Sequence, residues 1–393
     1  MELHSHSKVT LNPLNIRKDR KHYIVEDLDS GDFYEMPEVC IDAIGLIGEG
    51  KDLHSIEEEL RERFPNEDVD MKGFVQDLLD LGLIRTIDGK EVPKRTAQPA
   101  ETPGLTWIPE KAGKFFFNRA SSLVYLAALL ASAGILMVRP GLFPAYKDIF
   151  VFDLMMYNIL VFLGLTFLLV VLHEIGHVLA MRAESLPTGI SLGHRLFFIV
   201  LETDMSRVWT LPPHRRYRLY LAGLAFDAVV LFAALLVQLV FSGHALSAGI
   251  AKMAAFSTFI RILYQCCVYM KTDLYYVIEN HSGSYNLMEN GQNYLRRWLP
   301  FLSEVKTSKE FAGEEKWVRP YAFFYLVGIM ITIAVLAFYN LPLIIHAAML
   351  VIPGFSEPAT SILFWDAVVF FLQFVIMAAL LLHSWSRKYR LTN

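Results

Sequence analysis

The chain has 393 residues, 54% of them apolar and 19% charged, with a net charge of −4. So large an apolar share exceeds that of an ordinary soluble domain and indicates a polytopic membrane protein, while a small charge of mixed sign gives no basis for nucleic acid as a partner. Of the three cysteines, Cys40 stands alone and Cys266 and Cys267 are adjacent, which excludes a disulfide framework.

The start, "MELHSHSKVTLNPLNIRKDRKHYIVEDLD", lacks the apolar core of a signal peptide, so the N-terminus is expected in the cytoplasm. Within "HYIVEDLDSGDFYEM" two β-rich runs flank Asp29-Ser30-Gly31-Asp32, the pattern of a hairpin. Three helical patterns follow. Pro37 opens the first, through Ile47; Leu53, Ile56, Leu60 and Phe64 form one face of the second; Met71, Phe74, Val75, Leu78 and Leu79 form one face of the third. A hairpin with three small helices predicts an α+β, winged-helix-like domain over residues 1–88. Its third helix carries Asp70, Asp77 and Asp80 against a single Lys72, which would repel phosphate and argues against DNA binding.

The order of these elements and the pattern "LDSGDFYEM…CIDAIGLIGEG…FVQDLLDLGLI" resemble the PqqD-like peptide-binding domain, or RiPP recognition element. The resemblance implies that a leader peptide adds as a strand beside the hairpin and packs against a helix. A small cytosolic regulatory or assembly domain is the alternative, since fold alone does not assign function.

Residues 89–117, rich in Pro, Thr, Gly and charge, read as a linker to a membrane domain over residues 118–393. Six spans are expected there, roughly over 120–137, 154–182, 217–241, 245–270, 321–348 and 361–383. Basic residues concentrate in "EKAGKFFFNR", "HRRYR", "RRW" with "KTSK", and "SRKYR", which alternate with loops carrying only Arg139 and Lys147. Positive loops face the cytoplasm, so both termini are expected there, in a bacterial cytoplasmic membrane.

The second span contains "VVLHEIGHVLAMR". His173 and His177, four apart on a helix, face the same way, so both imidazoles can reach one metal ion. Glu174 projects beside them. In H-E-x-x-H sites the glutamate takes a proton from the attacking water, which zinc activates, and returns it to the leaving amine. Histidines and a glutamate merely hydrogen-bonded between helices are the alternative, disfavoured because ionisable groups at membrane depth are costly unless they pair, face water or bind ions.

A catalytic zinc needs a third protein ligand, and Glu184, His194, Glu202, Asp204, Asp227, Asp273, Glu279 and His281 are the candidates downstream. With about 1.5 Å per residue, His173 lies roughly 14 Å before Arg182, in the cytoplasmic half of the bilayer. The fourth span returns to that side at "CCVYMKTDLYY", which favours Asp273. Asp227 and Arg261 are expected to pair across the third and fourth spans.

"HEIGH", "ETDMSRVW", "LAGLAFD" and "KTDLYYVIENHSGSYNL" follow the order and spacing of the site-2 protease family of intramembrane zinc metalloproteases, and the chain is most similar to its peptide zinc metalloprotease branch. The resemblance covers roughly residues 160–297. It implies that His173, His177 and Asp273 bind zinc and that Glu174 is the catalytic base. It also implies a re-entrant, membrane-embedded β-hairpin in "PTGISLGHRLFFIVLETDMSRVW", with an ordinary amphipathic loop as the alternative.

Three departures stand out: Gly223-Leu224 where the family has Gly-Pro, Thr272-Asp273-Leu274 where it has Leu-Asp-Gly, and Gln265-Cys266-Cys267-Val268 where it has Asn-x-Asn-Pro. They put local unwinding and substrate positioning near the metal in question. The expected function is a zinc-dependent endopeptidase cleaving a membrane-inserted or amphipathic peptide, a ribosomally made precursor captured by the N-terminal domain. The alternatives are regulated proteolysis of a membrane-anchored signalling factor, and a membrane protein that binds, exports or confers immunity to a peptide without hydrolysing it.

Overall fold

The computed structural model describes residues 3–20, 22–93, 104–195, 198–284, 286–297 and 315–391. The basic stretch expected between the fourth and fifth spans falls mainly on residues 298–314, outside the described residues, as do residues 94–103 of the linker.

The N-terminal domain begins with β1 (Val9–Leu11), β2 (Leu14–Asp19), β3 (His22–Asp27) and β4 (Phe33–Met36). Helices α1 (Glu38–Gly48), α2 (Leu53–Arg63) and α3 (Met71–Asp80) follow, then β5 (Ile84–Ile87) and β6 (Lys90–Glu91). The expected hairpin is β3–β4, antiparallel with Tyr23 opposite Met36. Its turn is closed by Gly31 N–H donating to Asp27 O at 2.7 Å and by the Asp27 carboxylate accepting from Asp29 N at 3.0 Å. Gly31 sits at φ +77, a left-handed conformation that favours glycine at this turn.

Four strands not foreseen complete the sheets: β2 pairs with β3, and β5 pairs with both β1 and β6. Asp52 and Asp70 cap α2 and α3, accepting from Ser55 N and Gly73 N. The three helices bury Ile47, Ile56, Leu60, Val75 and Leu78 against Val25 of the sheet, the faces their apolar spacing predicts.

The membrane part contains α4 (Glu110–Phe116), α5 (Arg119–Val138), α6 (Met155–Ala183), β7 (Ile190–Arg195), β8 (Phe198–Thr203), α7 (Pro213–Tyr220) and α8 (Ala222–Val240). It continues with α9 (Ala245–Gln265), α10 (Asp273–Ser282), α11 (Leu287–Arg296), α12 (Glu315–Val335), α13 (Leu341–Val351) and α14 (Ile362–Leu391). Among the described residues, five segments are long and apolar enough to cross a bilayer: Arg119–Val138, Met155–Ala183, Pro213–Val240, Ala245–Gln265 and Lys316–Ser356. The sixth expected segment lies on α14, whose described apolar run, Ile362–Ile376, is shorter than the roughly 20 residues a span needs.

The fifth segment is longer than expected because helical backbone continues from α12 into α13. A π-helical turn, Leu336–Asn340, joins α12 to α13 just before Pro342. The fourth ends at Gln265, not near 270, because the apolar composition continues past the point where the backbone turns.

Exposed leucines and phenylalanines suit lipid on the outside of these helices, among them Leu123, Leu130, Leu160, Leu163 and Phe167. On α6 this exposed face occupies the first half, whereas from His173 to Met181 most side chains are buried. Gly176 lets α6 and α8 approach closely, since a Cβ there would lie 2.8 Å from Ala222 O.

The two parts of the chain meet through charge. Arg216, wholly buried, pairs with Asp19 at 2.7 Å and lies 4.7 Å over the Trp209 ring. Arg17 of β2 donates to the carbonyls of Trp209 and Thr210, Arg207 pairs with Glu26 at 3.0 Å, and Arg20 donates to His281 O at 2.7 Å. These contacts seat the sheet β2–β3–β4 on the 3₁₀ turn Ser206–Thr210, immediately after the β7–β8 hairpin.

Candidate metal centre

Four segments far apart in sequence supply the site. Helix α6 brings His173, Glu174 and His177, and β8 ends beside them. The start of α8 supplies a flat wall at Gly223, where a Cβ would fall 2.6 Å from His177 Nε2 and closer still to His173 Nε2. Any larger residue there would push into the rings.

The fourth contributor is the break between α9 and α10. The helix stops at Gln265 without a proline, passes through the 3₁₀ turn Val268–Met270, and places Lys271 at φ +52 before restarting at Asp273. A left-handed lysine costs on the order of 1 kcal/mol. Specific hydrogen bonds hold this irregular backbone: Gln265 Oε1 accepts from Asp273 N at 3.0 Å, Thr272 Oγ1 donates to Gln265 O at 2.7 Å, and Tyr321 Oη donates to Val268 O at 3.3 Å. The local unwinding that the sequence left in question is therefore present, held by Gln265 and Thr272 and not by a proline.

Asp273 Oδ2 lies 3.1 Å from His173 Nε2 and 3.2 Å from His177 Nε2. Ligand atoms of these three residues all fall within 4.8 Å of one another, the one such grouping of three among the described residues. Behind the rings, His173 Nδ1 meets Asp227 Oδ2 at 2.9 Å and His177 Nδ1 meets Leu219 O at 2.9 Å. Both partners are acceptors, so each Nδ1 carries a proton and, in a neutral ring, each Nε2 is left with a lone pair. Two ring lone pairs and a carboxylate oxygen then face one point, an arrangement that a cation satisfies. Donors about 2.0 Å from a tetrahedral zinc stand about 3.3 Å apart, close to the separations from Asp273 to the two rings.

Glu174 is not part of this grouping. Its Oε2 accepts from Thr203 N at 3.0 Å and from Thr203 Oγ1 at 2.6 Å, which ties it to the end of β8. With His177, Asp273, Thr203, Trp209 and Tyr276 it lines a cavity of about 240 Å³.

The remaining candidates lie elsewhere. Asp227 pairs with Arg261 as expected, with Arg261 Nη2 2.6 Å from Oδ1 and Nε 3.0 Å from Oδ2, but it also orients His173, a role the sequence reading missed. Glu184 pairs with Arg215 at 3.4 Å, Asp204 caps Ser206, and His281 packs against Trp317. Glu202 lines the cavity; the side chain of His194 lies outside the described residues. Glu279 is buried beside Tyr275, whose Oη donates to it at 2.7 Å, and burial pushes its pKa up to about 8.

The hairpin expected between the second and third spans is present as β7–β8, antiparallel with Ile190 opposite Thr203. Its tip, residues 196–197, lies outside the described residues. No protein-family model matches this chain, and neither a curated protein nor a solved structure does.

Proposed function

We propose that the chain is an intramembrane zinc-dependent endopeptidase, similar to site-2 proteases, which cleaves a membrane-inserted or amphipathic peptide. The observation that carries this reading is the convergence of His173 Nε2, His177 Nε2 and Asp273 Oδ2 beside Glu174, in a cavity bounded by a strand. Its substrate is a ribosomally made precursor, and the N-terminal domain recruits it. The membrane is a bacterial cytoplasmic membrane, spanned six times if α14 completes the bundle, with both termini in the cytoplasm. Docking of the N-terminal domain at Arg216 and Trp209, at the site's own end of the bundle, supports that orientation.

His173, His177 and Asp273 would hold the zinc ion, which when bound supplies Lewis acidity toward water and the scissile carbonyl. Asp227 and the Leu219 carbonyl keep both rings turned so that Nε2 faces the site. Glu174, held at Oε2 by Thr203, takes the proton from the attacking water and delivers it to the leaving amine nitrogen. Leu201, Glu202 and Thr203 of β8 bring an extended strand to the cavity. A substrate laid along the hairpin is held extended, which exposes a peptide carbonyl that a helix would shield.

The test is cleavage by full-length protein in lipid nanodiscs, using an amphipathic precursor peptide as substrate. Product from the native chain, with none from a Glu174→Gln variant that keeps its zinc, is expected. Equal product from both would rule out the mechanism, and binding without product from either would make the chain a carrier.

A further inference from the structure

Three apolar spans end on one surface of the membrane part: the first begins at Arg119, the second ends at Ala183 and the third begins at Pro213. The short helix α4 lies across this end of the bundle. Its Gly113 packs directly on the last turns of α6, where a Cβ would fall 2.4 Å from Ala183 N and 2.5 Å from Leu179 O, so the two backbones touch. Arg182 donates to Ile108 O at 2.9 Å, and Arg218 of α7 donates to Phe117 O at 3.4 Å. The Phe117 ring stacks on Phe226 of α8 with centroids 6.1 Å apart. Helix α4 is thus fixed to the bundle at the level where the spans leave the apolar layer.

The outer side of α4 combines two chemistries. Trp107, just before the helix, is 77% exposed and Phe115 is 72% exposed, and α5 continues directly after it with exposed Leu123 and Val124. Lys111, Lys114 and Arg119 are exposed along the same short stretch. Arg215 and Arg218 join them from α7, held beside α6 by Glu184 at 3.4 and 3.8 Å. Against these cations stand Glu184 and Glu110, the latter paired with Lys114 at 3.1 Å. Among the described residues neither Lys111 nor Arg119 has an ion-pair partner. Large aromatic side chains exposed at the end of a span suit the ester region of a bilayer, and unpaired cations beside them suit phosphate.

We propose that α4 is an interfacial helix that binds the headgroups of anionic phospholipids. Trp107 and Phe115 enter the ester region, and Lys111, Lys114 and Arg119, with Arg215 and Arg218 beside them, hold the phosphates. The surface lies about 9 Å along α6 from His177, which stands six residues before Ala183, so the lipid site is at the metal centre's own end of the bundle. It does not depend on the endopeptidase reading, for it uses none of the residues that surround Asp273.

The test is quenching of Trp107 fluorescence by brominated lipids in nanodiscs that carry the full-length protein. The Trp107 signal is taken as the difference between the native chain and Trp107→Phe. Brominated phosphatidylglycerol is compared with brominated phosphatidylcholine, each as about a tenth of an otherwise unbrominated phosphatidylcholine bilayer. The phosphatidylglycerol is expected to quench at least about threefold more strongly. Bromines near the headgroup should quench more than bromines near the chain end, as a ring in the ester region requires. Lys111→Gln with Lys114→Gln and Arg119→Gln should bring the two lipids to equal quenching without moving the thermal melt, since all three side chains are exposed. Inorganic phosphate should reduce the preference no more than chloride does at equal ionic strength.

Equal quenching by the two lipids in the native chain, or a preference that survives in the triple variant, would overturn the phosphate assignment. Competition by inorganic phosphate beyond that of chloride would make this a site for free anions and overturn the lipid assignment. Absence of quenching by either lipid would place Trp107 in water and overturn the interfacial helix.

Discussion

Two carboxylates reach His173 from opposite sides, and their surroundings separate their roles. Asp227, almost wholly buried, approaches Nδ1 and is already neutralised by the Arg261 guanidinium. Asp273 approaches Nε2, and its other contacts are His177 Nε2 and the Gln265 side-chain amide, with no arginine or lysine among them. A buried carboxylate with its own arginine can orient a ring without a further cation, whereas one facing two ring lone pairs cannot. The sequence contains both as aspartates at helix ends of the same bundle; only the charge around each distinguishes a positioning group from a proposed metal ligand.

The largest expected effect concerns neither aspartate. Glu174→Gln should lower peptide cleavage by roughly 10²–10⁴-fold while zinc content stays unchanged, measured by product mass spectrometry and metal analysis on one preparation. A parallel loss of zinc would place Glu174 among the ligands and blur the contrast between Asp273 and the groups around it. Next comes Asp227→Asn, which should retain zinc but weaken its affinity by about 10–100-fold in competition with a chelator. Unchanged affinity would reduce Asp227 to a partner of Arg261 alone.

A smaller change is expected at Gln265→Ala, which removes both hydrogen bonds that fix Asp273. Losing them should weaken zinc affinity by about tenfold or less, corresponding to about 1 kcal/mol. The smallest prediction concerns stability rather than the site. Burial raises the Glu279 pKa from the ordinary 4.5 to about 8, so between these values the unfolded chain releases a proton that the folded chain keeps. Stability should therefore fall as pH rises through that window. Thermal melts of Glu279→Gln against the native chain should show the variant gaining relative stability from pH 5 to pH 8, and a constant difference would contradict the assignment.

Much of this was legible in the sequence, for physical reasons. His173 and His177 share a helix face by spacing alone, and Asp273 follows from the direction in which the spans run. Strand–turn–strand chemistry at Asp29–Asp32 and the apolar faces of α1 to α3 are local signals, and they located the N-terminal elements.

What escaped depends on partners distant in the chain. Strand β2, "LNIRKD", has little apolar alternation because Arg17 and Asp19 serve the interface with Trp209 and Arg216 rather than a core. The contact between Asp227 and His173 joins residues 54 apart, and no spacing rule announces it. The role of Gln265 in stopping α9 and holding Asp273 becomes visible only once the backbone turns back on itself. The end of the fourth span was placed too late for a related reason: hydropathy reports the depth of a segment, not whether it is still helical.

The contrast between the two aspartates is tested most directly by the zinc content of purified full-length Asp273→Ala, measured beside Asp227→Asn after exchange into chelator-treated buffer. The account predicts that Asp273→Ala falls below roughly a tenth of the native zinc content while Asp227→Asn retains most of it. Native zinc content in Asp273→Ala, or equal loss in both variants, would contradict it.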